Sequence, residues 1–147
     1  MAIVSSETVH ATCVAMEGQA VLLMGVSGSG KSDLALRLID RGAILVSDDY
    51  TLVARQGRRL IARAPETIAG RMEVRHVGIV TLPFVDDVPV ALAIKLDDVP
   101  ERLPELTSGI RLAGIDVPCA ALEAKEASAP LKVELILQLL GMKAHPA

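Results

Sequence analysis

The chain has 147 residues, of which 51% are hydrophobic but only Tyr50 and Phe84 are aromatic, so one domain with an aliphatic core is expected. The net charge is −3 and no basic run is present, which argues against a nucleic-acid partner, because such partners select positive surfaces with stacking aromatics. No apolar run approaches the about 18 residues that span a membrane, and no signal peptide is recognisable at the start, so a cytoplasmic protein without a membrane partner is predicted.

The first predicted elements form a hairpin. Residues 9–16 have strand character, Glu17 and Gly18 suit a tight turn, and residues 20–24 form an apolar run typical of a buried strand. His10 lies among apolar residues of the first strand, where a structural and a functional histidine are both open readings. Cys13 and Cys119 are too far apart in sequence for a metal motif, and we expect buried, reduced thiols.

The second strand runs into a glycine-rich sequence of the pattern G-x-x-x-x-G-K-[ST], which is the signature of a phosphate-binding loop. The pattern is completed by Gly25, Val26, Ser27, Gly28, Ser29, Gly30, Lys31 and Ser32. Glycines let backbone N–H groups close around phosphate oxygens. Lys31 is predicted to reach the β- and γ-phosphates of a nucleotide, and the Ser32 hydroxyl to bind Mg²⁺.

Residues 33–41 continue this loop as a predicted helix that ends at Gly42. The N-terminus of a helix is a favourable place for an anion, because unpaired N–H groups and the helix dipole both point there. An ordinary first turn is the alternative reading of Lys31 and Ser32. That reading is weak, since a cation at a helix N-terminus opposes the dipole unless an anion is bound.

A buried strand is predicted at residues 43–47 and leads directly into Asp48 and Asp49. Ligands of open α/β sheets collect at the carboxyl ends of strands. One of the two carboxylates could bind Mg²⁺ while the other accepts a proton from a hydroxyl nucleophile. The alternative is a turn or a helix N-cap, where pairs of aspartates are common.

The rest of the chain is predicted to add strands and one helix. Further strands are expected at residues 51–55, 60–63, 78–82 and 90–96. Residues 97–130 are expected to form loops, with a short strand at 115–117, and residues 131–142 form an apolar helix. Antiparallel hairpins around one phosphate-loop unit predict an α/β fold with a mixed sheet and flanking helices.

Two further features bear on function. Glu73 and Arg75 would share one face if their segment is extended, as an ion-pair surface or as part of a pocket. The chain contains no asparagine, which removes both the guanine-reading N-K-x-D motif and the H-R-D-x-x-x-x-N loop of eukaryotic protein kinases. A GTPase and a eukaryotic-type kinase are therefore disfavoured.

Several motifs, taken in order, resemble the catalytic domain of bacterial HPr kinase/phosphorylase. They are Thr-Val-His at 8–10, the phosphate loop followed by Asp33, Val-Ser-Asp-Asp at 46–49, and Met-Glu-Val-Arg-His-Val-Gly-Ile at 72–79. The last of these is similar to the family's E-[IV]-R-G-L-G-I signature, and residues 101–103 are similar to its D-R-L segment. The fold implied is a single phosphate-loop domain of the phosphoenolpyruvate carboxykinase-like type over residues 1–147, without the N-terminal domain of longer members.

The resemblance implies ATP- and Mg²⁺-dependent phosphorylation of a serine on the phosphocarrier protein HPr. It also implies the reverse phosphorolysis, which yields pyrophosphate, a role in regulating the phosphotransferase system, and a homo-oligomer, hexameric in the family. The implied catalytic residues are Asp48 as the base, His10 tuning it, and Lys31, Arg75 and Arg102 on the phosphates. The implied metal ligands are Ser32, Asp49 and Glu73.

The chain differs from the family pattern in two places. His76 and Val77 stand where the family has Gly-Leu, and no P-V-x-P-G-R-N segment occurs near the C-terminus. Because that segment lies near the partner contact in longer members, the resemblance supports kinase activity more directly than phosphorolysis. A small-molecule kinase on the same scaffold and a non-enzymatic nucleotide-binding sensor remain alternatives.

Overall fold

The computed structural model describes residues 5–97, 99–103 and 109–142, and within them it contains strands, two α-helices and one 3-10 turn at Glu66–Ile68. The strands are β1 (Ser6–Val9), β2 (Ala11–Met16), β3 (Gln19–Met24), β4 (Ile44–Ser47), β5 (Thr51–Gln56), β6 (Arg59–Arg63), β7 (Arg71–Val74), β8 (Gly78–Thr81), β9 (Val88–Lys95), β10 (Gly109–Leu112) and β11 (Ile115–Ala121). The helices are α1 (Lys31–Asp40) and α2 (Ala129–Leu140).

One sheet contains nine of these strands, and its path is β1-β5-β6-β9-β3-β2-β4, with β11 paired to β9 and β10 paired to β11. The pairs β3–β9 and β9–β11 are parallel and the others are antiparallel. This arrangement confirms the predicted mixed α/β sheet. The carboxyl ends of β3, β9 and β11 therefore meet at one edge, where loops can bind a ligand.

Both faces of the sheet are packed with aliphatic side chains. On one face, Leu34 and Leu38 of α1 and Ile136 of α2 join Met72 of the β7–β8 hairpin in one cluster. On the other face, residues of β5, β6, β10 and β11 form a second cluster. The two aromatic residues lie outside these clusters and are 41–48% exposed, so the prediction of an aliphatic core is confirmed.

The predicted first strand is interrupted at His10. Val9 ends β1, which pairs with β5, whereas Ala11 begins β2, which pairs with β3 and β4. Local strand character cannot reveal this change of partner, because it depends on two distant strands. The bend leaves the side chain of His10 38% exposed rather than buried in a continuous strand.

The region predicted as loops contains more strand than expected. Strand β10 was missed, and β11 runs from Ile115 to Ala121 where only 115–117 was predicted. Gly109 and Pro118 oppose each other in this hairpin, and both residue types are poor strand formers, which explains the error. Asp98, within the region predicted to form loops, lies outside the described residues.

The segment at residues 71–81 is a separate hairpin, of which only the second strand was predicted. The N–H of Val77 donates to Val74 O (3.0 Å), so Arg75 lies in the turn. Arg75 therefore lies outside the strand, and the extended conformation that would have placed Glu73 and Arg75 on one face is not present. His76 has a φ of +70°, in the left-handed region that favours glycine, and the family signature has glycine at this position.

Replacing His76 by glycine is expected to stabilise the protein by about 0.5–1 kcal/mol, because relief of left-handed strain exceeds the entropy cost of glycine. Urea unfolding would measure the change. Val77→Gly is the matched control: Val77 is exposed, like His76, but is not among the left-handed residues, so its replacement by glycine should lower stability. Equal effects of the two substitutions would contradict the assignment of strain to His76.

Both thiols are buried, as predicted. Burial raises the pKa of the Cys13 thiol well above its ordinary value, so the group stays protonated and unreactive at neutral pH. Among the described residues, no helix is both long enough and apolar enough to cross a membrane.

Candidate functional site

The phosphate loop joins β3 to α1 and depends on its glycines. Gly28 and Gly30 have φ values of +86° and +96°, and Gly30 precedes the first residue of α1. A Cβ atom at Gly25 would lie 2.5 Å from Ser29 Oγ. That hydroxyl oxygen is buried and has no hydrogen-bond partner among the described residues, which fits a loop that closes around a polar ligand.

Lys31 is folded back over this loop. Its Nζ donates to Gly25 O (2.8 Å) and Val26 O (3.2 Å), and the side chain is 5% exposed. The same Nζ lies 3.8 Å from Asp49 Oδ1. The ammonium group is thus held where the loop and the second aspartate meet, which is the position from which it can contact a bound phosphate.

Asp48 is directed into the protein and both of its carboxylate oxygens are engaged. Oδ1 accepts hydrogen bonds from Ser32 Oγ (2.6 Å) and Thr12 Oγ1 (3.1 Å), and Oδ2 accepts one from the backbone N–H of Glu73 (3.0 Å). The residue is only 7% exposed. Both carboxylate oxygens of Asp48 therefore already accept hydrogen bonds within the site, and the expected role of Asp48 as the base stays a prediction.

Asp49 points in another direction because the chain turns sharply around it. The N–H of Tyr50 donates to Asp48 O (2.7 Å), and Asp49 between them has a φ of +67°. Such strained residues cluster at functional sites. The Asp49 side chain is 50% exposed, and its Oδ1 accepts a hydrogen bond from His10 Nε2 (2.8 Å). His10 therefore contacts Asp49, and the expectation that it tunes Asp48 stays a prediction.

Tyr50 holds the imidazole in place. Its ring stacks on His10 with centroids 5.0 Å apart and planes inclined by 19°. A stacked aromatic pair contributes about 0.5–1.5 kcal/mol beyond burial of area. No motif marked Tyr50 in the sequence, because its partner is 40 residues away.

Removing the Tyr50 ring is expected to lower the activity of the site that contains His10 and Asp49. Tyr50→Ala should lower the catalytic rate about three- to tenfold, because loss of the stacking energy loosens the imidazole beside Asp49. Tyr50→Phe keeps the ring and should retain the rate. Rates at saturating substrate and the NMR spectrum of the His10 ring would measure both effects, and an equal loss in the two variants would contradict the role of stacking.

The other predicted site residues, Glu73, Arg75 and Arg102, lie in three different places. Glu73 reaches the site through its backbone N–H, and its side chain is exposed. Arg75 is exposed in the hairpin turn, and Arg102 lines a cavity at the carboxyl ends of β9 and β11. Their expected roles on the phosphates stay predictions.

Besides Tyr50, two residues of the site were not assigned to it from the sequence. Thr12 is fully buried in β2, and its hydroxyl links the aspartates by donating to Asp48 and accepting from the N–H of Asp49 (3.0 Å). Its polar side chain within an apolar strand was the available signal. Asp97, predicted as a loop acid, accepts a hydrogen bond through Oδ2 from the N–H of Val26 in the phosphate loop (3.3 Å).

Two oxygen atoms of the site suit Mg²⁺, whereas one of the expected ligands is engaged elsewhere. Ser32 Oγ and Asp48 Oδ1 are adjacent oxygen donors beside the loop, and magnesium prefers such ligands together with water and phosphate oxygens. Asp49, the expected metal ligand, contacts His10 and Lys31 instead. Within the described ranges, no group of three or more Asp, Glu, His or Cys side chains is arranged to hold a metal.

These features define a class: a mixed α/β domain in which a strand, a glycine-rich loop and a helix surround a site suited to phosphate groups. Within this class, the chain matches the family model described as HPr Serine kinase C-terminal domain over residues 2–85. The chain belongs to this family, and the family predicted from the sequence motifs is confirmed.

Individual relatives agree with this assignment. The chain is 41% identical over 102 residues to an HPr kinase/phosphorylase of Peptoclostridium acidaminophilum, covering 69% of this chain and 32% of that protein. It is 35% identical over 127 residues to one of Chlorobium limicola, covering 77% and 38%. The matched region thus spans 32–38% of the length of these relatives.

The fold is similar to a solved structure, the Hpr(Ser) kinase/phosphatase from Coxiella burnetii. The TM-score is 0.78 and the sequence identity is 27%, and the match covers 90% of this chain and 95% of that chain. The similarity extends beyond the phosphate loop and includes most of the mixed sheet.

Proposed function

We propose that this chain is a protein kinase that transfers the γ-phosphate of ATP, with Mg²⁺, to a serine hydroxyl of an HPr-type phosphocarrier protein. The observation that carries the proposal is the cluster of Asp49, His10 and Lys31 at the edge of the phosphate loop. It combines a proton acceptor, a group that orients it and a cation for the phosphate. The names of the relatives support the choice of acceptor.

Asp49 is the base in this proposal. Its exposed carboxylate can accept the proton of the serine hydroxyl as the oxygen attacks the γ-phosphorus, and ADP leaves. His10 donates its Nε2–H to Oδ1 of this carboxylate, which orients the group and leaves the second oxygen for the substrate. The exposed side of Asp49 is also the side from which a protein substrate can approach.

Asp48 supports the metal and the loop instead. Together with Ser32 it would hold Mg²⁺, with Glu73 close by. When bound, the ion neutralises charge that develops on the β- and γ-phosphates. The buried hydrogen bonds of Asp48 orient the Ser32 hydroxyl, so this residue is suited to positioning and not to proton transfer.

The test is transfer of labelled γ-phosphate from ATP to purified HPr, with an HPr variant in which the acceptor serine is alanine as the control. Labelled wild-type HPr and an unlabelled variant would support the proposal. A panel of small hydroxyl compounds tested in parallel would detect a small-molecule kinase. Bound nucleotide without transfer to any acceptor would favour a nucleotide-binding sensor.

Three further properties belong to the proposal. Phosphorolysis of phosphoserine-HPr is tested by adding inorganic phosphate and measuring pyrophosphate. A homo-oligomer is tested by light scattering of the purified chain. A cytoplasmic location is expected for an enzyme that uses ATP and a phosphocarrier protein, and fractionation of cells would check it.

A further inference from the structure

Thr12 is a polar residue within an apolar, buried strand. Every residue of β2 is buried, and Thr12 is 0% exposed. A buried hydroxyl costs free energy unless it forms hydrogen bonds, so a threonine at this position needs partners. Its main chain is already paired with Leu23 of β3, and the hydroxyl is therefore not required for the sheet itself.

The Thr12 hydroxyl forms two hydrogen bonds, and the direction of each is fixed. The N–H of Asp49 donates to Thr12 Oγ1 (3.0 Å), and this oxygen donates its own proton to Asp48 Oδ1 (3.1 Å). A backbone N–H can only donate and a carboxylate can only accept, so the group between them must do both. Serine keeps this capacity, whereas valine has the shape of threonine and lacks it.

Thr12 lies where β4 leaves the sheet. The pairing of β4 with β2 ends at Ser47, opposite Cys13, after a register shift between Cys13 and Val14. Such bulges are frequent next to active sites, where they redirect the chain. Beyond Ser47, the N–H of Asp49 reaches β2 through the side chain of Thr12 and not through the strand ladder. Thr12 therefore anchors the turn that carries the aspartates.

The turn at Asp49 depends on such an anchor. Its φ of +67° is a strained conformation, and strain of this kind persists only where the surroundings hold it. The anchored residue places its Oδ1 2.8 Å from His10 Nε2 and 3.8 Å from Lys31 Nζ. Without the bond from its N–H to Thr12, the turn can relax and carry the carboxylate away from both groups.

The second hydrogen bond of the hydroxyl acts on Asp48. Asp48 Oδ1 accepts from Thr12 and also from Ser32 Oγ (2.6 Å), the last side chain of the phosphate loop. Two donors on one oxygen fix its position relative to the loop. One buried hydroxyl thus connects the loop serine, the first aspartate and the backbone of the second.

We propose that Thr12 is a positioning residue for phosphoryl transfer, which sets the two aspartates relative to each other and to the phosphate loop. It acts through Asp48 and Asp49, because its own hydroxyl is buried and both of its bonds go to them. The inference rests on the proposed function, since its effect is measured on the transfer rate. It does not depend on which of the two carboxylates accepts the proton.

Thr12→Val is expected to lower the transfer rate at saturating Mg-ATP and HPr by about 10- to 100-fold, because a displacement of about 1 Å at a reacting group has an effect of this size. The KM for HPr should be unchanged, since Thr12 is buried away from any protein partner. Thr12→Ser retains the hydroxyl and should keep the rate within about threefold of the wild type. A normal rate in Thr12→Val, or the same loss in Thr12→Ser, would overturn the inference.

Thr51→Val is the matched control. Thr51 is also 0% exposed, and its hydroxyl donates to Ala11 O (2.9 Å) and not to an aspartate. The two valine variants each lose one buried hydrogen bond, so their urea unfolding midpoints should fall alike. Only Thr12→Val should lose rate. An equal loss of rate in Thr51→Val would show that general destabilisation is the cause and would overturn the inference.

Hydrogen exchange of the ligand-free chain gives a readout without the reaction. Exchange of the Asp49 amide should accelerate at least about tenfold in Thr12→Val and stay slow in Thr12→Ser and Thr51→Val. Unchanged exchange in Thr12→Val would overturn the inference. A wild-type chain that transfers no phosphate to HPr would contradict the proposed function, while a protected Asp49 amide that depends on Thr12 would still support the placement of the aspartates.

A second pair of variants covers the case in which Thr12→Val does not fold. Thr12→Cys and Thr12→Ser differ in one atom, and a thiol is a weak donor and a weak acceptor. The cysteine variant should show the slower transfer and the faster exchange of the Asp49 amide. Equal rates and equal exchange in these two variants would overturn the inference.

Discussion

Asp49→Asn is expected to lower the rate of phosphoryl transfer by about 10²–10⁴-fold while Mg-ATP still binds, because the substitution removes the carboxylate proposed as the general base and keeps the shape of the side chain. An asparagine at this position can still accept the hydrogen bond that His10 donates to Oδ1. The turn around residue 49 also tolerates asparagine, which adopts left-handed conformations more readily than most residues. Single-turnover transfer and calorimetric titration with Mg-ATP would measure the two effects separately.

Asp48→Asn is the informative comparison for this experiment. Asp48 accepts hydrogen bonds from Ser32, Thr12 and the backbone of Glu73, so its variant should weaken Mg²⁺-dependent nucleotide binding and reduce stability. Asp86→Asn removes a charge from an exposed loop and should leave rate and binding unchanged. If Asp48→Asn lost transfer with normal binding while Asp49→Asn remained active, Asp48 would be the base and the proposed assignment would be wrong.

Lys31→Met is expected to lower the transfer rate by about 10²–10³-fold, the usual effect of removing one preorganised donor from a developing negative charge. Nucleotide affinity should fall as well, because the ammonium group lies between the loop and Asp49. Methionine has a similar length and suits a side chain that is 5% exposed, so folding should be retained. Transfer kinetics, nucleotide titration and thermal unfolding would check the three parts of this expectation.

Lys125→Met is the matched control, because Lys125 is exposed after β11 and only its backbone N–H has a described contact. Rate and affinity should be unchanged in this variant. A normal transfer rate in Lys31→Met, with the control also normal, would show that the loop lysine does not act on the transferred phosphate. An equal loss of rate and affinity in both lysine variants would show that the effect comes from the overall charge of the protein and not from the position of Lys31.

The phosphate loop and its neighbours could be predicted because their signals are local. A glycine at a left-handed position, such as Gly30, and a lysine at a helix N-terminus can both be recognised from a few neighbouring residues. The buried strands were visible as apolar runs for the same reason. The family resemblance also rested on short motifs in a fixed order, and it was confirmed.

The errors arose where a property depends on distant contacts. The break at His10 follows from the separate pairing of β1 with β5 and β2 with β3. The turn after β7 separated Glu73 from Arg75, although alternation along an extended chain would have placed them together. Strand pairing and turn geometry are set by partners far along the chain, so no window of the sequence contains them.

By itself, the sequence determined that this protein has a phosphate loop between a buried strand and a helix, followed by a pair of aspartates at a strand end. Only the tertiary structure decided the surroundings of each aspartate. Thr12, Ser32 and Glu73 hold Asp48 inside the protein, and the turn at Asp49 carries the second carboxylate outward to His10 and Lys31. Two adjacent identical residues differ only in their surroundings, and those surroundings come from three separate parts of the chain.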